Sequence, residues 1–115
     1  MRKFASFIIA LAVSLLATGA FAHAMLDHAS PAVGASVSGS PGAVRLWFTE
    51  ALEPRFSGAE VTGPVGRVGG RASVSGNQLT ISLPHLAPGA YRVNWHVISV
   101  DTHKTEGSFS FEVRP

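Results

Sequence analysis

An unbroken alternation of apolar and polar side chains over residues 91–97 constrains the fold of this chain more than any other feature. A repeat of two residues is the repeat of a β-strand, because successive side chains point to opposite faces of a sheet. Residues 43–49 and 106–113 show the same repeat, and no long stretch after residue 22 has helical periodicity. The domain is therefore predicted to be all-β.

Glycine and proline residues divide the rest of the chain into further short segments that favour strands. These strand candidates are residues 58–62, 65–68, 72–75 and 78–83. Gly76-Asn77, between the last two, is a typical turn of a β-hairpin. About seven short strands with turns every 8–12 residues predict a β-sandwich of the immunoglobulin-like type or a small barrel.

The N-terminal segment has the pattern of a secretory signal peptide. Arg2 and Lys3 precede an apolar run at residues 7–17, and an A-x-A triplet follows at residues 20–22. The apolar run is shorter than the roughly 20 residues that a membrane-spanning helix needs. We therefore expect residues 1–22 to be removed on export.

A second A-x-A match, at residues 22–24, leaves the cleavage position open, because cleavage there would discard His23. Cleavage after residue 22 leaves one small domain, residues 23–115, with seven basic and seven acidic side chains. A domain this close to neutrality has no basic patch for nucleic acid. It also lacks cysteine, which excludes disulfides, zinc fingers and copper sites built on thiolates.

His23 acquires a special chemistry if it becomes the first residue. A histidine at a free N-terminus offers its α-amine and its ring Nδ1 to one metal ion in a single chelate ring, which an internal histidine cannot do. Both nitrogens bind metal only when deprotonated, and their ordinary pKa values are about 7.7–8.0 for the amine and about 6.5 for the ring. Metal binding by this residue is therefore expected to weaken steeply on acidification.

The triplet Asp101-Thr102-His103, just beyond the alternating strand, contains two further candidate ligands. If the triplet is extended, Asp101 and His103 point to the same side and place a carboxylate oxygen and an imidazole nitrogen a few ångströms apart. Together with His23 they supply three nitrogens and one oxygen. Such a set in one plane suits Cu(II), and zinc, which favours a tetrahedron, is a competing ion.

Three groups of motifs carry a resemblance to a known family. They are the run at residues 91–103 with Gly107 and Phe111; His23, Leu26, Ser30-Pro31-Ala32 and Gly34; and Phe48-Thr49-Glu50 with Phe56-Ser57-Gly58. In these motifs the sequence resembles the CopC family of periplasmic copper-binding proteins, over essentially all of residues 23–115. The motifs are long and occur in the family's order, which makes the resemblance specific.

The resemblance implies an immunoglobulin-like or cupredoxin-like β-sandwich that binds Cu(II) at its N-terminus, with His23, Asp101 and His103 as copper ligands. Glu50 matches a family glutamate near the site. It is either a weak or outer ligand or a solvated carboxylate at a strand end. His28 lies five residues beyond His23 and is either close to the site or a histidine on the surface of a strand.

The methionine content distinguishes this chain from some family members, which carry a methionine-rich loop that binds Cu(I) through soft thioether ligands. Here the only methionines are Met1, in the expected signal peptide, and Met25. The segment at residues 63–77 is rich in glycine and valine instead. We therefore expect a Cu(II)-only member of the family.

The function implied by the resemblance is that of a monomeric, non-enzymatic copper carrier or buffer in the periplasm. It would serve copper homeostasis and resistance, with a CopD-type inner-membrane protein as its partner. The alternative is a copper-dependent monooxygenase-like enzyme, which also uses an N-terminal histidine chelate. An aspartate in the copper plane argues against that enzyme, because it fills the position that oxygen needs and stabilises Cu(II) over Cu(I). A metal-free adhesion or interaction module would explain the fold but not the motifs.

Overall fold

The computed structural model describes residues 24–115, which form nine β-strands and one short 3-10 turn, Pro54–Phe56. The strands are β1 (Leu26–Ser30), β2 (Ser36–Ser38), β3 (Ala43–Phe48), β4 (Gly58–Gly63), β5 (Gly66–Val68), β6 (Ala72–Ser75), β7 (Gln78–Ser82), β8 (Gly89–Ile98) and β9 (Lys104–Arg114). In this part of the chain no helix is long and apolar enough to cross a membrane. The expected signal peptide, residues 1–22, lies outside the described residues, as does His23.

The strands form a sandwich of two sheets, which confirms the predicted all-β fold. The first sheet has the order β1-β3-β7-β6, and the second has the order β2-β9-β8-β4-β5. β2 runs parallel to β9, and the other paired strands are antiparallel. The predicted hairpin is present, because β6 and β7 pair on either side of Gly76-Asn77.

Residues 24–115 contain nine strands rather than the expected seven, because β1 and β2 have no clear alternation in the sequence. The pairing of β1 with β3 is interrupted by a bulge between Leu26 and His28, and a bulge inserts a residue that breaks the two-residue repeat. β2 has only three residues and is held by parallel pairing with β9. A strand held mainly by backbone pairing need not show alternating apolar and polar side chains, so the sequence does not indicate it.

The core lies between the two sheets, where the inward side chains of the alternating strands meet. The inward-facing residues of these strands are Val44, Leu46 and Phe48 on β3; Tyr91, Val93, Trp95 and Val97 on β8; and Phe109, Phe111 and Val113 on β9. Phe48 of the first sheet meets Trp95 of the second edge to face, with ring centroids 5.1 Å apart. Burying each large apolar side chain stabilises the fold by about 1.5–3 kcal/mol, so these strands fix the sandwich.

One end of the sandwich joins the two sheets, and we call it the β8–β9 end. It contains residues 24–25 before β1, residues 49–52 after β3, and the turn at residues 99–103 between β8 and β9. The backbone N–H of Val100 donates to the carbonyl of Ala51 at 3.0 Å, which ties the turn to the segment after β3. Three separate stretches of sequence therefore reach this end, and the last of them continues into the first residues of β9.

Candidate metal centre

The turn at residues 99–103 places the two predicted ligands of the triplet. The backbone N–H of Thr102 donates to the carbonyl of Ser99 at 2.8 Å, and that of Ser99 donates to the carbonyl of His103 at 3.0 Å. Thr102 has a φ of 74°, in the left-handed region that residues other than glycine seldom adopt. The triplet therefore does not have the extended geometry considered above. The chain reverses here to begin β9, so a turn replaces the strand geometry.

The turn nevertheless brings Asp101 and His103 together, as the sequence predicted. His103 Nδ1 lies 3.3 Å from Asp101 Oδ1, and the side chains of His103 and Asp101 are roughly half exposed, at 48% and 41%. A metal ion can therefore reach a carboxylate and an imidazole that are already adjacent.

Ser99 holds this pair in place from the interior side. It is fully buried, its hydroxyl donates to Asp101 Oδ1, and it accepts the backbone N–H of His103 at 3.3 Å. The hydrogen bond from Ser99 lowers the pKa of Asp101 below its ordinary value; partial burial opposes this effect, and the neighbouring His103 adds to it. The carboxylate is thus held in its ionised form, which is the form that binds metal.

Ala24, the first described residue, is anchored beside this pair. It is fully buried, and its carbonyl accepts a hydrogen bond from Thr105 Oγ1 at 2.7 Å. Thr105 lies on β9, two residues beyond His103. The next residue, Met25, is held by Thr49, through one hydrogen bond of 3.0 Å to the Thr49 hydroxyl and one of 2.9 Å from the Thr49 backbone. The chain therefore enters the domain at the β8–β9 end.

Glu50 lies at the same end, immediately after the residue that holds Met25. Its side chain is partly exposed and forms no hydrogen bond or ion pair within residues 24–115. The following residues approach the turn, since Leu52 forms an isolated bridge with Ser99. The backbone of Glu50 is thus one residue from Ala51, whose carbonyl is bonded to the turn. Within residues 24–115 no hydrogen bond or ion pair joins the carboxylate of Glu50 to Asp101 or His103.

The other described histidines are surface residues. The ring of His28 stacks on Trp47, with centroids 4.4 Å apart, and its Nδ1 lies 2.7 Å from Asp27 Oδ2. His85 is exposed in a loop, and His96 is exposed on the outward face of β8. Of the two interpretations of His28, the structure supports a histidine on the surface of a strand, because its ring contacts Trp47 and Asp27 rather than the turn.

Within residues 24–115, no three side chains of histidine, cysteine, aspartate or glutamate come close enough to hold a metal ion. Asp101 and His103 supply two donors, so an ion at this end requires further donors from elsewhere. The predicted third residue, His23, precedes the described segment by one position.

Sequence reasoning missed two residues that organise this centre, Ser99 and Thr105. A usable signal existed for both. Ser99 continues the inward-facing series of β8 two residues after Val97, and Thr105 lies four residues, or two steps of the same repeat, before Phe109 of β9. A hydroxyl at a position that the alternation assigns to the core indicates a buried hydrogen bond, because an unpaired buried hydroxyl is costly.

The fold and the Asp101–His103 pair define a small two-sheet sandwich with a carboxylate and an imidazole at one end. Residues 26–114 match the CopC domain family, and the chain belongs to that family. "Copper resistance protein C" of Xanthomonas campestris pv. juglandis is 39% identical over 98% of this chain and 97% of its own length. "Protein YobA" of Escherichia coli K12 is 42% identical over 90% of this chain and 89% of its own length.

Solved structures agree with this assignment. The crystal structure of CopC from Methylosinus trichosporium OB3b has a TM-score of 0.76 and 35% identity, covering 81% of this chain and 95% of that chain. PcoC, a methionine-rich copper resistance protein from Escherichia coli, has a TM-score of 0.74 and 30% identity, covering 81% of this chain and all of its own. The resemblance in the sequence motifs is therefore confirmed at the level of family and fold.

Proposed function

We propose that this protein is a periplasmic Cu(II)-binding protein that acts in copper homeostasis and resistance as a carrier or buffer. Family membership supports copper as the ion, because relatives in the family are named for copper resistance. The chemistry of the donors supports the divalent state, since carboxylate oxygen and imidazole nitrogen suit Cu(II) better than Cu(I). The signal-peptide pattern of residues 1–22 supports export to the periplasm.

One observation carries the assignment of ligands, namely the hydrogen bond between Thr105 and the carbonyl of Ala24. It ties the residue after His23 to a position two residues beyond His103. Consecutive Cα atoms are about 3.8 Å apart, so the polypeptide cannot take His23 far from this tie. We assign the amine and Nδ1 of His23, a carboxylate oxygen of Asp101 and an imidazole nitrogen of His103 as the four donors.

The two carboxylate oxygens of Asp101 have different surroundings. The hydroxyl of Ser99 and the Nδ1 of His103 both contact Oδ1, which leaves Oδ2 as the oxygen that we assign to copper. An outer hydrogen bond to the other carboxylate oxygen fixes the orientation of the ligand, which is the usual arrangement around metal sites.

Glu50 is proposed as an outer or weak axial ligand. Its carboxylate is uncommitted within residues 24–115, and its neighbours are bonded to the turn that carries the Asp101 ligand. Tetragonal Cu(II) accepts a long fifth contact without losing its four in-plane donors. Glu50→Gln is expected to change the affinity far less than a substitution of Asp101.

A carrier rather than an enzyme is favoured by the same geometry. Asp101 occupies a fixed place beside His103, so the proposed plane contains four protein donors and no position for oxygen. We therefore propose no monooxygenase activity. The chain also has a single methionine after the expected signal peptide, Met25, so a Cu(II)-only site without a thioether cluster is proposed.

The proposed partner is a membrane acceptor of the CopD type, which would receive copper from a monomeric donor. Two exposed apolar side chains at the β8–β9 end support docking there, Met25 at 58% exposure and Val100 at 55%. Val100 precedes Asp101 directly, so an acceptor that covers these side chains comes next to the proposed ion.

Light scattering of the copper-loaded protein tests whether the protein is a monomer. Capture of the acceptor by the wild-type protein but not by the Val100→Asp protein tests whether the acceptor docks on this surface.

The decisive experiment compares variants of the exported protein after its N-terminus has been fixed by intact mass. Wild-type protein is expected to bind one Cu(II) with an EPR spectrum of nitrogen and oxygen donors. His23→Ala and His103→Ala should weaken binding strongly in a chelator competition, while His85→Ala, at an exposed loop histidine, should not. Cu(II) binding by His23→Ala that equals the wild type would disprove the site, as would a mature chain that begins at Met25.

A further inference from the structure

A second candidate site lies on the outer face of the first sheet, at the opposite end from the metal centre. A groove of about 590 Å³ opens there, with Arg45 among its lining residues. A volume in this range suits a small organic ligand. The residues that line the groove include the first residues of β3 and the last residues of β7. The candidate metal centre lies beyond the other end of β3, after its last residue. The two places are therefore independent.

Among the described residues, Arg45 is the only charged one that lines the groove. Its side chain is exposed and forms no ion pair or side-chain hydrogen bond within residues 24–115. Two other arginines differ in this respect, since Arg67 pairs with Glu60 at 3.1 Å and Arg92 donates to Ser108 at 2.7 Å. An uncommitted guanidinium in a concave surface is suited to a carboxylate, which it can bind through two parallel hydrogen bonds.

Hydroxyl groups flank this guanidinium on both neighbouring strands. Ser30 of β1 lies directly opposite Arg45 on one side, and Thr80 of β7 lies directly opposite on the other. Ser82 lies two residues further along β7, on the same face, and lines the groove as well. Residues directly opposite in an antiparallel pair have Cβ atoms about 4.5–5.5 Å apart, so these groups form one row of donors and acceptors around one positive charge.

The walls of the groove are rigid. Pro31 and Pro41 line its rim beside Val37. Proline fixes its own φ angle and has no backbone N–H, so these walls do not compete for the polar groups of a ligand. A pre-formed groove of this kind loses little conformational freedom when it is filled.

We propose that this groove binds a hydroxylated organic acid, such as a sugar acid, independently of copper. The carboxylate of the ligand pairs with the guanidinium of Arg45. Its hydroxyl groups exchange hydrogen bonds with Ser30, Thr80 and Ser82, and its carbon skeleton lies against the proline walls.

The test is an NMR titration of the full exported protein, labelled with ¹⁵N, with galacturonate, galactose and inorganic phosphate as probes. Galacturonate is expected to give saturable shifts at the side-chain Nε–H of Arg45 and at the amides of Thr80 and Ser82. Arg45→Gln should weaken this binding by about tenfold or more, because a charge-assisted bidentate pair is lost. Arg67→Gln, which removes the same charge from the other sheet, should leave it unchanged.

Three outcomes would overturn the proposal. The first is the absence of saturable shifts at Arg45 and Thr80 with galacturonate. The second is equal binding of galactose, which would show that the guanidinium does not select the ligand. The third is equal binding of phosphate and galacturonate, which would make this a general anion site rather than a site for hydroxylated acids. Since Cu(II) affinity is measured separately on the same Arg45→Gln protein, none of these results affects the copper assignment.

Discussion

Replacing Ser99 with alanine tests whether one buried hydroxyl positions the proposed metal ligands Asp101 and His103. Ser99 has no exposed surface, and its hydroxyl contacts both the carboxylate of Asp101 and the backbone N–H of His103. Alanine fits the same space but cannot form either hydrogen bond. We expect Ser99→Ala to leave the turn in place and to free the carboxylate from its fixed orientation.

The expected magnitude follows from the two hydrogen bonds that this substitution removes. Removing an outer hydrogen bond to a metal ligand lowers metal affinity by about 10–100-fold, and we expect a decrease in this range for Cu(II). Removing the hydroxyl of Ser99 should also lower the free energy of unfolding by about 1–3 kcal/mol, because two hydrogen bonds worth about 0.5–1.5 kcal/mol each are lost. Affinity and stability are therefore measured separately, and affinity is measured on protein shown to be folded.

The pKa of Asp101 gives an independent measurement on the metal-free protein. The folded pKa lies below the unfolded value, chiefly because of Ser99. The stability that this shift contributes is therefore present above the unfolded pKa and is lost as the pH falls through the folded pKa. Ser99→Ala should raise the folded pKa of Asp101 and reduce this acid-dependent loss of stability.

The assay combines chelator competition for Cu(II), a carboxyl NMR titration of Asp101 and urea unfolding. Ser110→Ala, at an exposed position on β9, is the matched control and should behave as the wild type in all three. The reasoning fails if folded Ser99→Ala protein keeps both the wild-type Cu(II) affinity and the wild-type pKa of Asp101.

Three further predictions concern the surroundings of the site. Thr105→Val should lower the free energy of unfolding by about 1–3 kcal/mol, because the carbonyl of buried Ala24 loses its partner, and it should weaken Cu(II) binding; urea unfolding and competition titration measure both. Gly107→Ala should destabilise by about 1–3 kcal/mol, because its Cβ would lie 2.5 Å from the indole of buried Trp95; wild-type stability would contradict this contact. Apparent Cu(II) affinity should fall steeply from about pH 8 to about pH 6 as the N-terminal amine that we propose as a ligand takes up a proton, and a flat profile in competition titrations would count against an N-terminal chelate.

The sandwich could be predicted from sequence where strands bury one face. β3, β8 and β9 alternate without a break, and each follows the predicted face in the structure. β1 and β2 could not be predicted in this way. A bulge disrupts the first, and the second depends on parallel pairing with a strand more than 70 residues away, as Ser36 pairs with Glu112.

The spacing of Asp101 and His103 indicated proximity on the condition that the triplet is extended, and the structure brings them together through a turn instead. A turn through Thr102 in the left-handed region gives the same closeness as an extended triplet. The alternation marks Ser99 and Thr105 as hydroxyls on the inward face, but their hydrogen-bond partners could not be predicted, because each partner depends on which segment packs against the residue. The tie from Thr105 spans 81 residues to Ala24, and local patterns contain no information about such a pair.

The burial of Ala24 also bears on the cleavage position that the sequence leaves open. Ala24 completes the second A-x-A match, yet it has no exposed surface, so packing alone requires a small side chain at this position. A larger residue would remove the competing cleavage signal and would obstruct the interior of the domain. If residues 1–22 are a signal peptide as predicted, a substitution of Ala24 therefore changes both the second A-x-A match and the packing of the domain.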